Sequence, residues 1–179
     1  MHADEIKVKT QSGWCWMGSA LQVATRLWLG GAVSLKRDFH LAEQPAIQIR
    51  SMALCCIPLL AVDGWASYVQ AFQNAFRTPL HTGNVGRPRL IAWQEVAIVQ
   101  VIKKRSANHF EITRHVVQGC TQIIASLLQL TQTGGCINIA YIEHLNATFR
   151  QRLDVLTRRT RTLARKQLTL QQVCTWWVA

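Results

Sequence analysis

The chain has 179 residues, 49% of them hydrophobic and only 16% charged, which suits one globular domain with a proper core and excludes an intrinsically disordered segment. Twenty Lys and Arg stand against nine Asp and Glu, and the formal net charge of +11 points to a polyanionic partner, either nucleic acid or an anionic membrane surface. No apolar run approaches the ~20 residues of a membrane helix, and the opening MHADEIKVKT has acids where a signal peptide would be apolar.

Alternation over Ile6–Lys9 and the density of Trp, Val and Leu around Gly13 and Gly30-Gly31 predict three strands, Asp4–Lys9, Trp14–Val23 and Arg26–Ser34, as an antiparallel meander. A helix is expected from Asp38, as its N-cap, to about Met52. Pro58 then breaks the pattern before a short buried strand, Leu59–Val62. Asp63-Gly64 ends that strand, and Trp65–Phe76 reads as a helix with Trp65, Tyr68, Val69, Phe72 and Phe76 on one face. Thr78–Arg89, with two prolines and two glycines, reads as a loop, and its Gly86-Arg87-Pro88 is faintly similar to a minor-groove arm. Strands are expected at Glu95–Lys103 and Phe110–Val117, a helix near Thr121–Leu130, and a last helical segment over Leu168–Trp177.

Leu145, Phe149, Leu153, Leu156 and Leu163 recur at helical spacing, so Tyr141–Arg165 is expected to form one long amphipathic helix. Glu143, Asn146, Arg150, Thr157 and Arg161 fall on its polar face. Such a face suits an acid that holds a divalent metal followed by arginines on phosphates, or it is an ordinary solvated face. Asp63 has two readings as well. It is a ligand carboxylate at the C-terminal tip of a buried strand, or an aspartate that closes a turn.

Six cysteines without a CxxC, in apolar or helical contexts, are expected to be reduced buried thiols, and no His/Cys cluster has zinc-ligand spacing. His40, His81, His109 and His115 share no spacing and are read as structural or solvent-exposed. Trp14, Trp16, Trp28 and Trp65 are read as core rather than as base-stacking platforms. No GxSxG or similar nucleophile context occurs.

Asp4 on the first strand, Asp63 at the tip of a later one and Glu143 near the start of the basic helix form the constellation of interest. Three carboxylates converging from two strands and a helix can hold two Mg²⁺ or Mn²⁺ ions about 3.5–4 Å apart. The stretches HADEIKVK, AVDGWASYVQAF and GGCINIAYIEHLNATFRQRL resemble the three signature blocks of bacterial insertion-sequence DDE transposases, over about residues 3–166. The DGW-x-x-Y and IE-x-LN-x-x-x-R blocks are the most specific.

The resemblance implies an α/β, RNase H-like fold of the retroviral-integrase superfamily, a mixed sheet beginning with three antiparallel strands and flanked by helices. It implies Asp4, Asp63 and Glu143 as catalytic triad and metal ligands, and two Mg²⁺ or Mn²⁺ ions as cofactors. Asn146 and Arg150 would support the site and bind DNA, and Arg158 and Arg161 would contact phosphates. Glu5 is set aside because neighbours on a strand point to opposite faces. The partners implied are transposon-end and target DNA, with a homodimer on paired ends and no membrane, in the bacterial cytoplasm at the nucleoid.

His144 departs from the arginine usual after the acid, and no helix-turn-helix or zinc-ribbon precedes Asp4. The expectation is therefore a truncated copy, with residues 1–166 as catalytic core, a 78–94 loop and 167–179 as an incomplete helical tail. Two rivals stand beside the transposase reading. One is a non-catalytic basic DNA-binding remnant, and the other is a fragment that does not fold stably.

Overall fold

Three strands in antiparallel succession open the molecule: β1 (His2–Thr10), β2 (Gly13–Leu21) and β3 (Trp28–Ser34). The structure, a computed structural model, describes residues 1–53, 58–81, 83, 86–106, 109–130, 136–157 and 163–178. Helix α1 (Phe39–Met52) follows, and the Asp38 side chain caps it by accepting from the Leu41 backbone N–H. Pro45 lies inside α1 and cannot donate to the Leu41 carbonyl. That carbonyl instead faces Gly18 of β2, where an added Cβ would come within 3.0 Å of it.

Strand β4 (Leu59–Val62) leads into α2 (Ala66–Ala75), then β5 (Arg77–Leu80) and β6 (Arg89–Ala92). Next come β7 (Ala97–Ser106), β8 (His109–Gln118), α3 (Thr121–Leu130), α4 (Ala140–Arg152), a 3₁₀ turn over Asp154–Leu156, and α5 (Gln167–Val178). The main sheet has the order β3-β2-β1-β4-β7-β8. β4 runs parallel to both β1 and β7, and β8 returns antiparallel on β7. It is the expected α/β, RNase H-like arrangement: a mixed sheet that begins with three antiparallel strands, with helices on both faces.

Side-chain alternation divides the core between those faces. Ala3, Leu60, Val62 and Ile98 pack with Ala46 and Ile49 of α1 and Tyr68 and Phe72 of α2. Ile6, Val8, Cys15, Met17 and Val33 pack on the other side with Phe149, Leu156, Leu170 and Cys174. Ala61 and Val101 meet Ile142, and Leu59, Ala97 and Val99 meet Ile124. All four residues of β4 are buried because a parallel strand between two helical layers has no solvent face.

Four expectations are corrected. The single helix over Tyr141–Arg165 stops at Arg152, and Leu153 is extended, with φ −101° and ψ 109°. The Thr157 hydroxyl donates to the Arg150 and Leu153 carbonyls, which supplies partners that a continuing helix would have supplied. The bend keeps both Leu153 and Leu156 against the sheet. Thr78–Arg89 is a loop only in its middle, because β5 and β6 pair as a two-stranded hairpin. Cys15 and Cys174 are buried as expected, but Cys120 and Cys136 are exposed, at the turn before α3 and on the segment before α4; Cys55 and Cys56 lie outside the described residues. Trp14 is 56% exposed rather than core. No helix among the described residues is long and apolar enough to cross a membrane.

Candidate functional site

The parallel pairing of β1 with β4 sets His2 opposite Ala61 and Ala3 opposite Val62. One residue further, the same register brings Asp4 alongside Asp63, where β4 has already ended. Beyond Ala3 the edge of β1 is therefore open, and side chains leaving either face of the strand reach round it. This is why Asp4 and Glu5, neighbours with opposite orientations, share a site: oxygens of Asp4, Glu5 and Asp63 all lie within 4.8 Å of one another. Setting Glu5 aside on strand alternation is thus corrected. The rule holds within a paired strand and fails at an open end.

Each carboxylate has a distinct support. Asp4 Oδ2 accepts from Asn146 Nδ2 at 3.0 Å, and Asn146 Oδ1 accepts from the Ser19 hydroxyl at 3.1 Å. Asn146 is only 3% exposed, so this relay from β2 through α4 to β1 is a buried one. Asp63 Oδ1 accepts from the Trp65 backbone N–H at 2.8 Å, closing the turn into α2. Its two readings are compatible, since the other oxygen faces the cluster side, 3.9 Å from Arg37 Nη2. Glu5 Oε1 accepts from Arg37 Nε at 2.8 Å and lies 2.5 Å from Nη2.

Arg37 pairs with Glu5 and lies 3.9 Å from Asp63, so negative charge stays in excess in this half-buried cluster of three acids. Burial, and then the neighbouring Asp63 and Glu5 charges, push the Asp4 carboxyl from 3.8 up to about 7. Burial raises Asp63 against the opposing pull of the Trp65 N–H and Arg37. Burial and the Asp63 charge raise Glu5, with Arg37 opposing. The Tyr68 hydroxyl, buried beside these acids, is raised well above its ordinary value, first by burial and then by Glu5. Clustered hard oxygens with uncompensated charge are the donor set that Mg²⁺ or Mn²⁺ requires, so the residues fit a divalent cation.

Glu143 stands in the first turn of α4, one turn before Asn146. Its carboxylate pairs with Lys103 Nζ of β7 at 2.5 Å and is not within the three-carboxylate cluster. Its charge still adds to the upward push on Asp4. Arg150, one turn beyond Asn146, lines a cavity of about 350 Å³ with Lys7, Lys9 and Trp14. Arg158 and Arg161 lie outside the described residues. A larger cavity of about 570 Å³, among Leu21, Arg26, Tyr141 and His144, is lined by none of the acids. Glu5 was visible as an acid beside Asp4, whereas no sequence pattern marks Arg37 or Lys103 as partners of the site.

The Asn146 relay makes a direct prediction. Asn146→Ala leaves the Ser19 hydroxyl and one Asp4 oxygen without their partner, at a cost of about 1–3 kcal/mol in chemical denaturation. A variant as stable as the parent would show that the relay carries no weight.

Comparison with family models, with curated proteins and with solved structures finds no match to this chain.

Proposed function

We propose that the chain is the catalytic core of a DDE transposase, a metal-dependent polynucleotidyl transferase that cleaves and joins DNA strands when an insertion sequence moves in the bacterial cytoplasm. The observation that carries the reading is the convergence of Asp4 and Asp63 from adjacent parallel strands, with Glu143 on a helix tied to Asp4 through Asn146. The strongly basic chain supplies the electrostatics for a polyanionic substrate.

In this reading Asp4 and Asp63 would hold the divalent ions, Glu143 would complete the second site, and Glu5 would be a further oxygen donor within reach. Bound there, Mg²⁺ or Mn²⁺ would supply Lewis-acid activation of a water or 3′-hydroxyl and charge stabilisation at the leaving oxygen. Asn146 orients the Asp4 carboxylate by donating to Oδ2. Arg37 fixes Glu5 and limits the net charge of the cluster. Lys103 holds Glu143 at the side of the site. Arg150 stands where it can take phosphates, giving affinity without base specificity.

A second reading has its own support. Glu143 is satisfied by Lys103 away from the other acids, as it would be in a DNA-binding remnant that no longer cuts. Nicking of a labelled duplex with Mn²⁺, repeated with chelator and after readdition of metal, separates the two. Cleavage that needs the metal supports the transposase core. Salt-sensitive binding without cleavage supports the remnant, and cleavage that persists in chelator removes this site from the chemistry.

A further inference from the structure

Between the carboxylates and the tip of the β1–β2 hairpin, cations and indole rings alternate. The register sets Lys7 opposite Trp16 and Lys9 opposite Trp14, so all four side chains share one face of the hairpin. Lys7 Nζ lies 4.8 Å from the Trp14 ring centroid and 5.8 Å from that of Trp16. The Arg37 guanidinium lies 5.3 Å from Trp16 and 4.6 Å from Trp65. The series Trp14, Lys7, Trp16, Arg37, Trp65 ends at the cluster itself, where Trp65 donates to Asp63 and Arg37 binds Glu5. At the outer end lies the cavity of about 350 Å³, to which Lys7, Lys9, Trp14 and Arg150 contribute.

Trp65 packs against the core and Trp16 is half-buried, but the outermost ring is not a core residue. Trp14 is 56% exposed, and Lys7 and Lys9 are exposed beside it. Trp14 and Trp16, two residues apart on one strand, stand roughly 7 Å apart, close to the phosphate spacing of an extended single strand. Flat rings at that interval, each beside a cation, suit a polymer that offers bases and phosphates in alternation. Duplex DNA keeps its base faces stacked and could use only the cations.

We propose that this ladder is a track for single-stranded nucleic acid leading from the hairpin tip to the carboxylates. Bases stack on Trp14 and Trp16, and Lys7, Lys9 and Arg150 take the phosphates. From Asp4 to Lys9 the track is about 17 Å long. A base that takes a ring face lets the lysine move to the adjacent phosphate, so the cation–π contacts of the free protein are exchanged rather than lost. The delivery of the strand to the carboxylates rests on the function proposed above, whereas the binding itself does not.

The test measures binding of a fluorescent oligo-dT in chelator, where no cleavage occurs, to the full chain and to Trp14→Ala, Trp14→Phe and Lys7→Gln. The exposure of Trp14 makes these variants tolerable to the fold, and unchanged thermal melts check that they are. Trp14→Ala is expected to weaken binding about tenfold or more, with Trp14→Phe retaining most of it. Lys7→Gln is expected to lower the salt slope of single-strand binding by about 0.7. Equal oligo-dT binding by Trp14→Ala and the parent overturns the track, as does an equal effect of Trp14→Ala on a duplex or on polyglutamate, which would make the patch a general polyanion site. Trp14-dependent binding without metal-dependent cleavage would sustain the track and sink the catalytic reading. Metal-dependent cleavage whose KM ignores Trp14 would do the reverse.

Discussion

Asp63→Asn should lower metal-dependent nicking by about a thousandfold or more, because a ligand carboxylate underlies several kcal/mol of transition-state stabilisation. The substitution is chosen for what it keeps. Asn retains an Oδ1 that accepts from the Trp65 N–H, so the turn into α2 survives while the charge is lost. Binding of DNA in chelator should be unchanged or slightly tighter, since one negative charge leaves the neighbourhood of Arg37. Glu143→Gln should lose cleavage to a similar degree for a different structural reason. Its carboxylate is 45% exposed and, among the described residues, paired with Lys103, so its removal costs the fold at most about 1 kcal/mol. Rates within a few-fold of the parent for both variants would remove the triad from the chemistry, whatever the DNA affinity.

The second large effect is on stability and has the opposite sign. Asp4 has a folded pKa of about 7 against an ordinary 3.8, so in this range the folded state binds more protons than the unfolded chain. The ionised form is therefore a cost to folding that begins as pH rises through 3.8 and is complete above about 7. The raised Glu5 and Asp63 act in the same direction. His2, held down to about 3, and the amino terminus, held down to about 5, both chiefly by burial, act in the other direction. The total pH profile is thus a sum, and comparison with Asp4→Asn isolates the Asp4 share.

In chelator, Asp4→Asn should match the parent near pH 4 and exceed it by at most about 4 kcal/mol at pH 8. Partial solvent access to the cluster lowers that ceiling. Excess Mg²⁺ at pH 8 should stabilise the parent and not the variant, since only the parent keeps the full ligand set. A constant difference between the two proteins from pH 4 to pH 8 would show that Asp4 is not strained by its neighbours. A melt of the parent indifferent to Mg²⁺ and Mn²⁺ would show that the cluster does not take a divalent ion.

Local signals in the chain carry most of the secondary structure. The alternation of Ile6–Lys9, the Trp, Val and Leu content of the next two strands, the Asp38 cap, the short apolar run after Pro58 and the aromatic stripe of α2 are each set by neighbours within one turn or one strand. Asp4, Asp63 and Glu143 were legible as candidates for the same reason: few acids in a basic chain, each at the end or start of a recognisable element. The chain alone also marks Asn146 and Arg150 as one and two turns beyond Glu143.

What those residues touch was decided only in three dimensions. The parallel register of β1 and β4, set by contacts across some 60 residues, brings Asp4 beside Asp63, and the early end of β4 admits Glu5 to the same site. Helical spacing puts Asn146 on a polar face, yet docking of α4 buries it as the link between Ser19 and Asp4. Spacing likewise continues the helix past Arg152, but burial of Leu153 and Leu156 against the sheet bends the chain there. Trp14 carries a core residue's composition and is exposed, on the hairpin of β1 and β2 near its turn. Periodicity depends on residues a few positions apart, so the sequence determines it; charge pairing and burial depend on residues that only the closed sheet brings together.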